Sequence, residues 1–217
     1  MRKYIILSLL VVFQLSNAQQ LPLAYKKYYE ASFLPAKISE QFVFSDSVAS
    51  KISKGIWSLS SNTDSSAGTN PDALVLINKH VLGDFITDVM LNLSIDSQDS
   101  LSAFYLISGY RDSANYYFIR YNAWGLNFYK MYKGEVSLID SDSSFRFLHN
   151  SWQSLRINRS ILTRTIELTN NGQFARFHDP NLIMGFIGFG LSQSRFAIKK
   201  MSIWAPTAIE KQAPELK

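Results

Sequence analysis

The 217-residue chain contains no cysteine. That excludes a disulfide framework and attachment through a lipidated cysteine. Its three histidines, His80, His149 and His178, leave no pair at metal-ligand spacing. Charge of one sign is also scarce. Of 22 basic and 17 acidic residues, only Arg2 and Lys3 fall in the first eighteen positions, so 20 oppose 17 in the rest and leave a net +3. So mild an excess, without a concentrated basic stripe, gives no reason to invoke nucleic acid. After residue 18 no apolar run approaches the ~20 residues needed to span a bilayer.

What is present begins with a three-part N-terminus. Arg2 and Lys3 precede an apolar run from Tyr4 to Leu15, and Ser16-Asn17-Ala18 places small residues where a signal peptidase reads them. The expectation is a signal peptide over residues 1–18, cleaved after Ala18, and a secreted or periplasmic product with no membrane span. A chain of this length with 47% hydrophobic residues can bury a core without disulfide staples. Fifteen Phe, eleven Tyr and four Trp favour strands over helices.

Residues 19–40 read as a lead-in, arm or short helix, closed by Pro35. From Gln41 to about residue 205 the chain breaks into short β-type runs separated by turn formers. The segment from Ser60 to Asp72 is rich in such residues and reads as a surface loop. From Phe85 the period of two is clear: Phe85, Thr87, Val89, Leu91, Leu93 and Ile95 share one face, and Ile86, Asp88, Met90, Asn92 and Ser94 the other. Asn171-Gly172 and Lys133-Gly134 mark hairpins. About a dozen runs with no helical pattern after residue 40 argue an all-β, antiparallel sandwich. Residues 206–217, with Pro206, Pro214 and several charges, read as a flexible tail.

The succession Tyr116-Tyr117-Phe118-Ile119-Arg120, Gly125 to Lys130, W-x-x-L-x-I from Trp152, Asn171-Gly172, Gly185-Phe186-Ile187-Gly188-Phe189 and Phe196 to Ile203 resembles the concanavalin A-like lectin/glucanase superfamily. Within it, the chain is most similar to laminin-G-like domains and to secreted bacterial domains linked with 3-keto-disaccharide hydrolysis. The resemblance spans residues 41–205 and implies a jelly-roll sandwich. Its glucanases carry E-x-D-x-x-E on one strand, placing nucleophile and acid on the same face. This chain has no such triplet, so that mechanism is not inherited.

A sugar site on a sandwich needs aromatic faces beside planar polar groups. Tyr105, Tyr110, Arg111, Tyr117, Arg120, Trp124, Tyr129 and Lys130 fall in three consecutive runs expected to neighbour one another in one sheet. Each aromatic taken singly also suits a sandwich interior. Trp124, in a turn, is the best stacking candidate, while Trp57, Trp152 and Trp204 read as core anchors. His149 precedes Trp152 and could line a cleft. Arg195 to Lys200 reads as charge protecting an outer strand from edge pairing. No cofactor is expected, although the turns Asp96–Asp99 and Asp140–Asp142 leave room for a structural calcium.

Three functions follow: a non-catalytic carbohydrate- or partner-binding module; an enzyme like the keto-disaccharide hydrolases, with acid/base groups among Asp84, Asp88, Asp112, Glu135 and His149; or a structural module docked on an envelope protein.

Overall fold

The computed structural model describes residues 21–216 except 23, 32, 62–68, 97–98 and 100. The signal-type segment 1–18 and the centre of the loop from Ser60 to Asp72 lie outside the described residues. In chain order the strands are Lys26–Glu30 (β1), Phe42–Phe44 (β2), Val48–Ser53 (β3), Ile56–Ser61 (β4), Ala73–Ile77 (β5), His80–Leu82 (β6), Phe85–Ser94 (β7), Ala103–Asp112 (β8) and Asn115–Asn122 (β9), with one short helix, Pro35–Gln41 (α1), after β1. Then come Gly125–Tyr132 (β10), Glu135–Asp142 (β11), Trp152–Ser160 (β12), Thr165–Asn170 (β13), Gln173–His178 (β14), Phe186–Ser192 (β15), Arg195–Ala205 (β16) and Ala208–Glu210 (β17). No described helix is long and apolar enough to cross a membrane.

The strands form an antiparallel sandwich. One sheet runs β14-β13-β12-β7-β16-β4-β3, with β1 also on β16, and is called sheet A below. The other, sheet B, runs β11-β10-β9-β8-β15-β5-β2. Asn171-Gly172 and Lys133-Gly134 take φ values of 46° and 83°, and 53° and 83°, as two-residue hairpin turns require. The strand period places the core. Phe85, Thr87, Val89, Leu91 and Leu93 of β7 are all buried, facing Leu106, Ile119 and Phe128 from sheet B. Trp57 is fully buried against Phe42, its ring 4.3 Å away.

The described parts of the lead-in and of the tail belong to the sandwich, which corrects two expectations. The lead-in supplies β1, which lies beside the second half of β16, and buries Tyr29 and Ile38. The tail is not loose. β17 pairs with β6, the Lys211 amide donates to the Lys79 carbonyl (3.0 Å), and the Ala213 amide donates to Asn78 Oδ1 (3.0 Å). Leu216 then joins Leu76, Tyr105, Ile107 and Phe118 in a second apolar cluster on the outer face of sheet B. That face carries too many aromatic side chains to stand in water, and the tail shields part of it.

Arg159, in the inward phase of β12, is fully buried. Its guanidinium donates to the carbonyls of Gly83 and Ile183 and lies 5.9 Å from the Phe85 ring centroid. Burial pushes its pKa down to about 10. Arg159→Met keeps the length but leaves two buried carbonyls unpaired, so a loss of about 2–4 kcal/mol is expected. Urea unfolding checks this as a lower midpoint at unchanged slope.

Candidate functional site

The nine residues singled out from sequence fall into separate places. Tyr105 and Arg120 are register partners on the outer face of sheet B, with Arg120 Nε donating to the Tyr105 hydroxyl at 3.3 Å. Tyr129 joins them on that face, its ring stacked 5.0 Å from Phe118. Tyr110 packs on Tyr116 at 5.3 Å. Tyr105 and Tyr110 are buried, and burial raises both phenol pKa values. A ring so enclosed offers no face to an external sugar.

The other candidates lie elsewhere. Tyr117 turns inward, donating to the Asn181 carbonyl at 2.8 Å, with Lys130 Nζ 5.6 Å from its ring. Arg111 is exposed, and its Nε donates to the Met184 carbonyl (3.3 Å). Trp124 stands 62% exposed at the β9–β10 turn, where Asn122 Oδ1 accepts its amide (3.1 Å). His149 Nδ1 lies 3.0 Å from the Ile95 carbonyl and its Nε2 3.5 Å from the Tyr121 hydroxyl, so both ring nitrogens are engaged.

The outer face of sheet A has what the chosen stretch lacks. On β12, Leu155 and Ile157 point inward, so Trp152, Ser154, Arg156 and Asn158 point outward. Trp152 is therefore 37% exposed rather than a core anchor. On β16 a bulge between Ile198 and Lys200 shifts the phase. Phe196 and Ile198 face the core before it and Met201, Ile203 and Ala205 after it, leaving Lys199 and Lys200 exposed in succession and Trp204 half-buried on the outer side. This corrects two further expectations: Trp204 is not a core anchor, and β16 lies between β7 and β4 instead of at an edge.

Register brings Ser202, Asp88, Arg156 and Thr169 into one transverse row. Arg156 grips Asp88 with two parallel bonds, Nε to Oδ1 at 2.6 Å and Nη2 to Oδ2 at 2.7 Å. The hydrogen bond to Asp88 raises the guanidinium's pKa. Beside this pair Lys27 Nζ lies 5.8 Å from the Trp204 ring and 3.1 Å from Glu30. Together they line an open trough of about 930 Å³. A second trough, about 920 Å³, lies toward the other end of the sheet between Lys51, Ser58, Ser60, Asn92 and Arg195. Trp152, capped by Lys199 Nζ at 4.7 Å, stands in the row Ala197–Asn92–Trp152, whose other two members line the second trough on the side toward the first.

The five acid/base candidates do not converge. Asp88 is held by Arg156, and Asp84 accepts the Ile161 amide. Asp112 and Glu135 sit on opposite sides of a row Asp112–Asn115–Tyr132–Glu135. Three strand spacings, roughly 14 Å, separate their backbones. Among the described residues no group of three or more His, Asp or Glu could hold a metal. Asp142, in one of the acidic turns, instead caps Ser144 and Phe145, and the Ser144 hydroxyl leads the lowering of its pKa.

No family model and no curated protein matches the chain. Solved structures do. A carbohydrate-binding module from Bacillus subtilis is 13% identical, with TM-score 0.55, covering 79% of this chain and 95% of that one. A Bacillus subtilis protein of unknown function with a galectin-like fold is 11% identical, with TM-score 0.59, covering 86% and 100%. A glycosidic hydrolase is 12% identical, with TM-score 0.55, covering 83% and 96%. These likenesses show the fold: a galectin-like antiparallel β-sandwich, in line with the resemblance to the concanavalin A-like superfamily.

Proposed function

We propose that this chain is an exported, non-catalytic carbohydrate-binding module that holds a glycan on the outer face of sheet A. The observation that carries this reading is the trough beside Trp204, where an indole face, a fixed Arg156–Asp88 pair and the Ser154 and Thr169 side chains converge in an open channel. Aromatic faces take the apolar side of a pyranose ring, and planar charged groups take its hydroxyls. The N-terminal pattern of residues 1–18 supports export, and the neighbours that bind carbohydrate support the ligand class.

The rival enzyme reading, through likeness to 3-keto-disaccharide hydrolase domains, has less support: Asp88 is committed to Arg156, and Asp112 and Glu135 stand three strand spacings, roughly 14 Å, apart, beyond the ~5–9.5 Å that glycosidases use. Docking on an envelope protein has support of its own in the edge strand β11, where Val136 and Leu138 are 37% and 56% exposed.

Affinity electrophoresis against a panel of soluble polysaccharides tests the proposal. Trp204→Ala and Arg156→Ala are each expected to weaken retardation about ten-fold or more, equivalent to ~1.4 kcal/mol. Trp124→Ala, on the other sheet, is expected to leave it unchanged. Retardation lost with Trp124→Ala and kept with Trp204→Ala would move the site to the β9–β10 turn.

A further inference from the structure

We infer that the glycan held on sheet A is anionic, bearing carboxylate or sulfate groups, and that Arg195, Lys199 and Lys200 select it. This rests on the reading of sheet A as the binding face and adds a chemical class to it.

Charged side chains on a strand usually protect an exposed edge. β16 is not an outer strand: it is hydrogen-bonded to β7 on one side, and on the other to β4 over Arg195–Ile198 and to β1 over Ser202–Ala205, with a short gap in register at Lys199 to Met201. The three side chains therefore guard no outer edge of the sheet. They stand exposed on the open face of an interior strand, where hydroxyls or amides would keep the sheet soluble equally well. None has an acidic partner among the described residues, and the same holds for Lys51 on β3. By contrast, Arg156, Lys27 and Arg176 on the same face are each paired with a carboxylate.

The charge balance points the same way. The two troughs and the Trp152 ridge carry six cations, Lys27, Lys51, Arg156, Arg195, Lys199 and Lys200, against three acids, Glu30, Asp88 and Asp96. The resulting +3 equals the whole excess of residues 19–217. The positive field is thus concentrated where the open channel lies, the arrangement that draws in an anionic ligand.

Spacing fits a chain better than a single sugar. Arg195 borders one trough, Lys200 the other, and Lys199, between these two on β16, lies over Trp152. At the rise of a strand Arg195 and Lys200 are roughly 15 Å apart, room for several linked rings. Lys199 stacked on Trp152 gives the ridge an apolar ring and a cation together, suited to an acidic sugar with one apolar face.

The test is affinity electrophoresis of the purified protein in three series: carboxylate polysaccharides (polygalacturonate, alginate), sulfated ones (dextran sulfate, chondroitin sulfate) and neutral ones (xyloglucan, laminarin, amylopectin). Arg195→Gln/Lys199→Gln/Lys200→Gln is run alongside, with near-UV circular dichroism to establish its fold. At least one acidic series is expected to bind about ten-fold more tightly than the neutral one at low salt, and the triple variant to lose that advantage. Raising salt from 0.05 to 0.5 M should erode the acidic binding, since exposed charges are screened. Which series binds identifies the anionic group.

Neutral glycans bound as tightly as acidic ones, and lost with Trp204→Ala, would overturn the anionic preference and leave the carbohydrate reading standing. Acidic binding that survives the triple variant would overturn the assignment to these residues. Inorganic polyphosphate competing as well as the glycan would overturn recognition of the sugar itself. No retardation in any series sinks both readings.

Discussion

Between pH 10 and pH 12 the protein is expected to unfold cooperatively, with tyrosinate absorbance and the loss of near-UV circular dichroism rising together. Tyr29, Tyr105, Tyr110, Tyr116, Tyr117 and Tyr121 are all buried, and burial raises each phenol's pKa, that of Tyr117 to about 12. The cause is loss of hydration for the phenolate. Below pH 10 both folded and unfolded states keep these protons, and the stabilisation is fully present. Above pH 10 the unfolded chain releases them and the folded one does not, so stability falls until the folded pKa is reached. Each such group costs about 1.4 kcal/mol per pH unit, and Tyr117 alone about 2–3 kcal/mol across its window. Tyr29, Tyr116 and Tyr117, the most strongly shifted, together remove about 8 kcal/mol by pH 12, comparable to the usual ~5–15 kcal/mol margin of a domain, and the other three act in the same direction. Arg159 works in the opposite direction, since its folded pKa of about 10 lies below the ordinary value of 12.5. One group cannot offset six. Reversible titration of every tyrosine near pH 10, with unchanged circular dichroism, would contradict the burial described above.

The fold was legible because a strand's period of two survives in the sequence wherever one face is buried. Phe85 to Ile95 carries that pattern without a break, and its inward set is the observed one. Asn171-Gly172 and Lys133-Gly134 declared their turns for the equally local reason that both positions need φ > 0. The site was harder to read because aromatic density reports burial as readily as binding. Tyr105, Tyr110 and Tyr117 crowd one stretch because sheet B buries side chains on both faces, one under the opposing sheet and one in the cluster that Leu216 joins. No local pattern announces that a segment a hundred residues later will cover a face.

Two signals for the other face were present all the same. In W-x-x-L-x-I, Trp152 is three residues from Leu155, an odd number, so the two cannot share a face of one strand. In F-A-I-K-K-M-S-I-W-A the apolar phase changes between Ile198 and Met201, which marks the bulge, exposes both lysines and turns Trp204 outward. The paired lysines that looked like edge protection are the trace of that bulge.

Gly188→Ala is expected to cost the protein about 3 kcal/mol or more, the upper end of what overpacking does. A methyl group there would stand 2.0 Å from the Val75 carbonyl oxygen and 3.0 Å from the Leu76 Cα. These are backbone atoms of the neighbouring strand β5, paired with β15 along Gly188 to Leu191, and they cannot rotate aside as a side chain can. The conflict is one of space, since Gly188 is not among the glycines with positive φ. Gly83→Ala is the control, because its methyl group would first meet the ends of flexible side chains, Ile161 Cδ1 at 2.9 Å and Met184 Cγ at 3.3 Å. For a domain of this size about 3 kcal/mol corresponds to a fall in melting temperature of roughly 6–12 °C. Gly83→Ala should stay within ~2–4 °C of the parent, the shift expected for 1 kcal/mol. Equal melting temperatures for Gly188→Ala and the parent would mean that β15 and β5 do not approach as closely as described. The pairing that fixes β15 beside β8 would then need revision as well, because the register shift between Phe186 and Gly188 lies at this same crowded point.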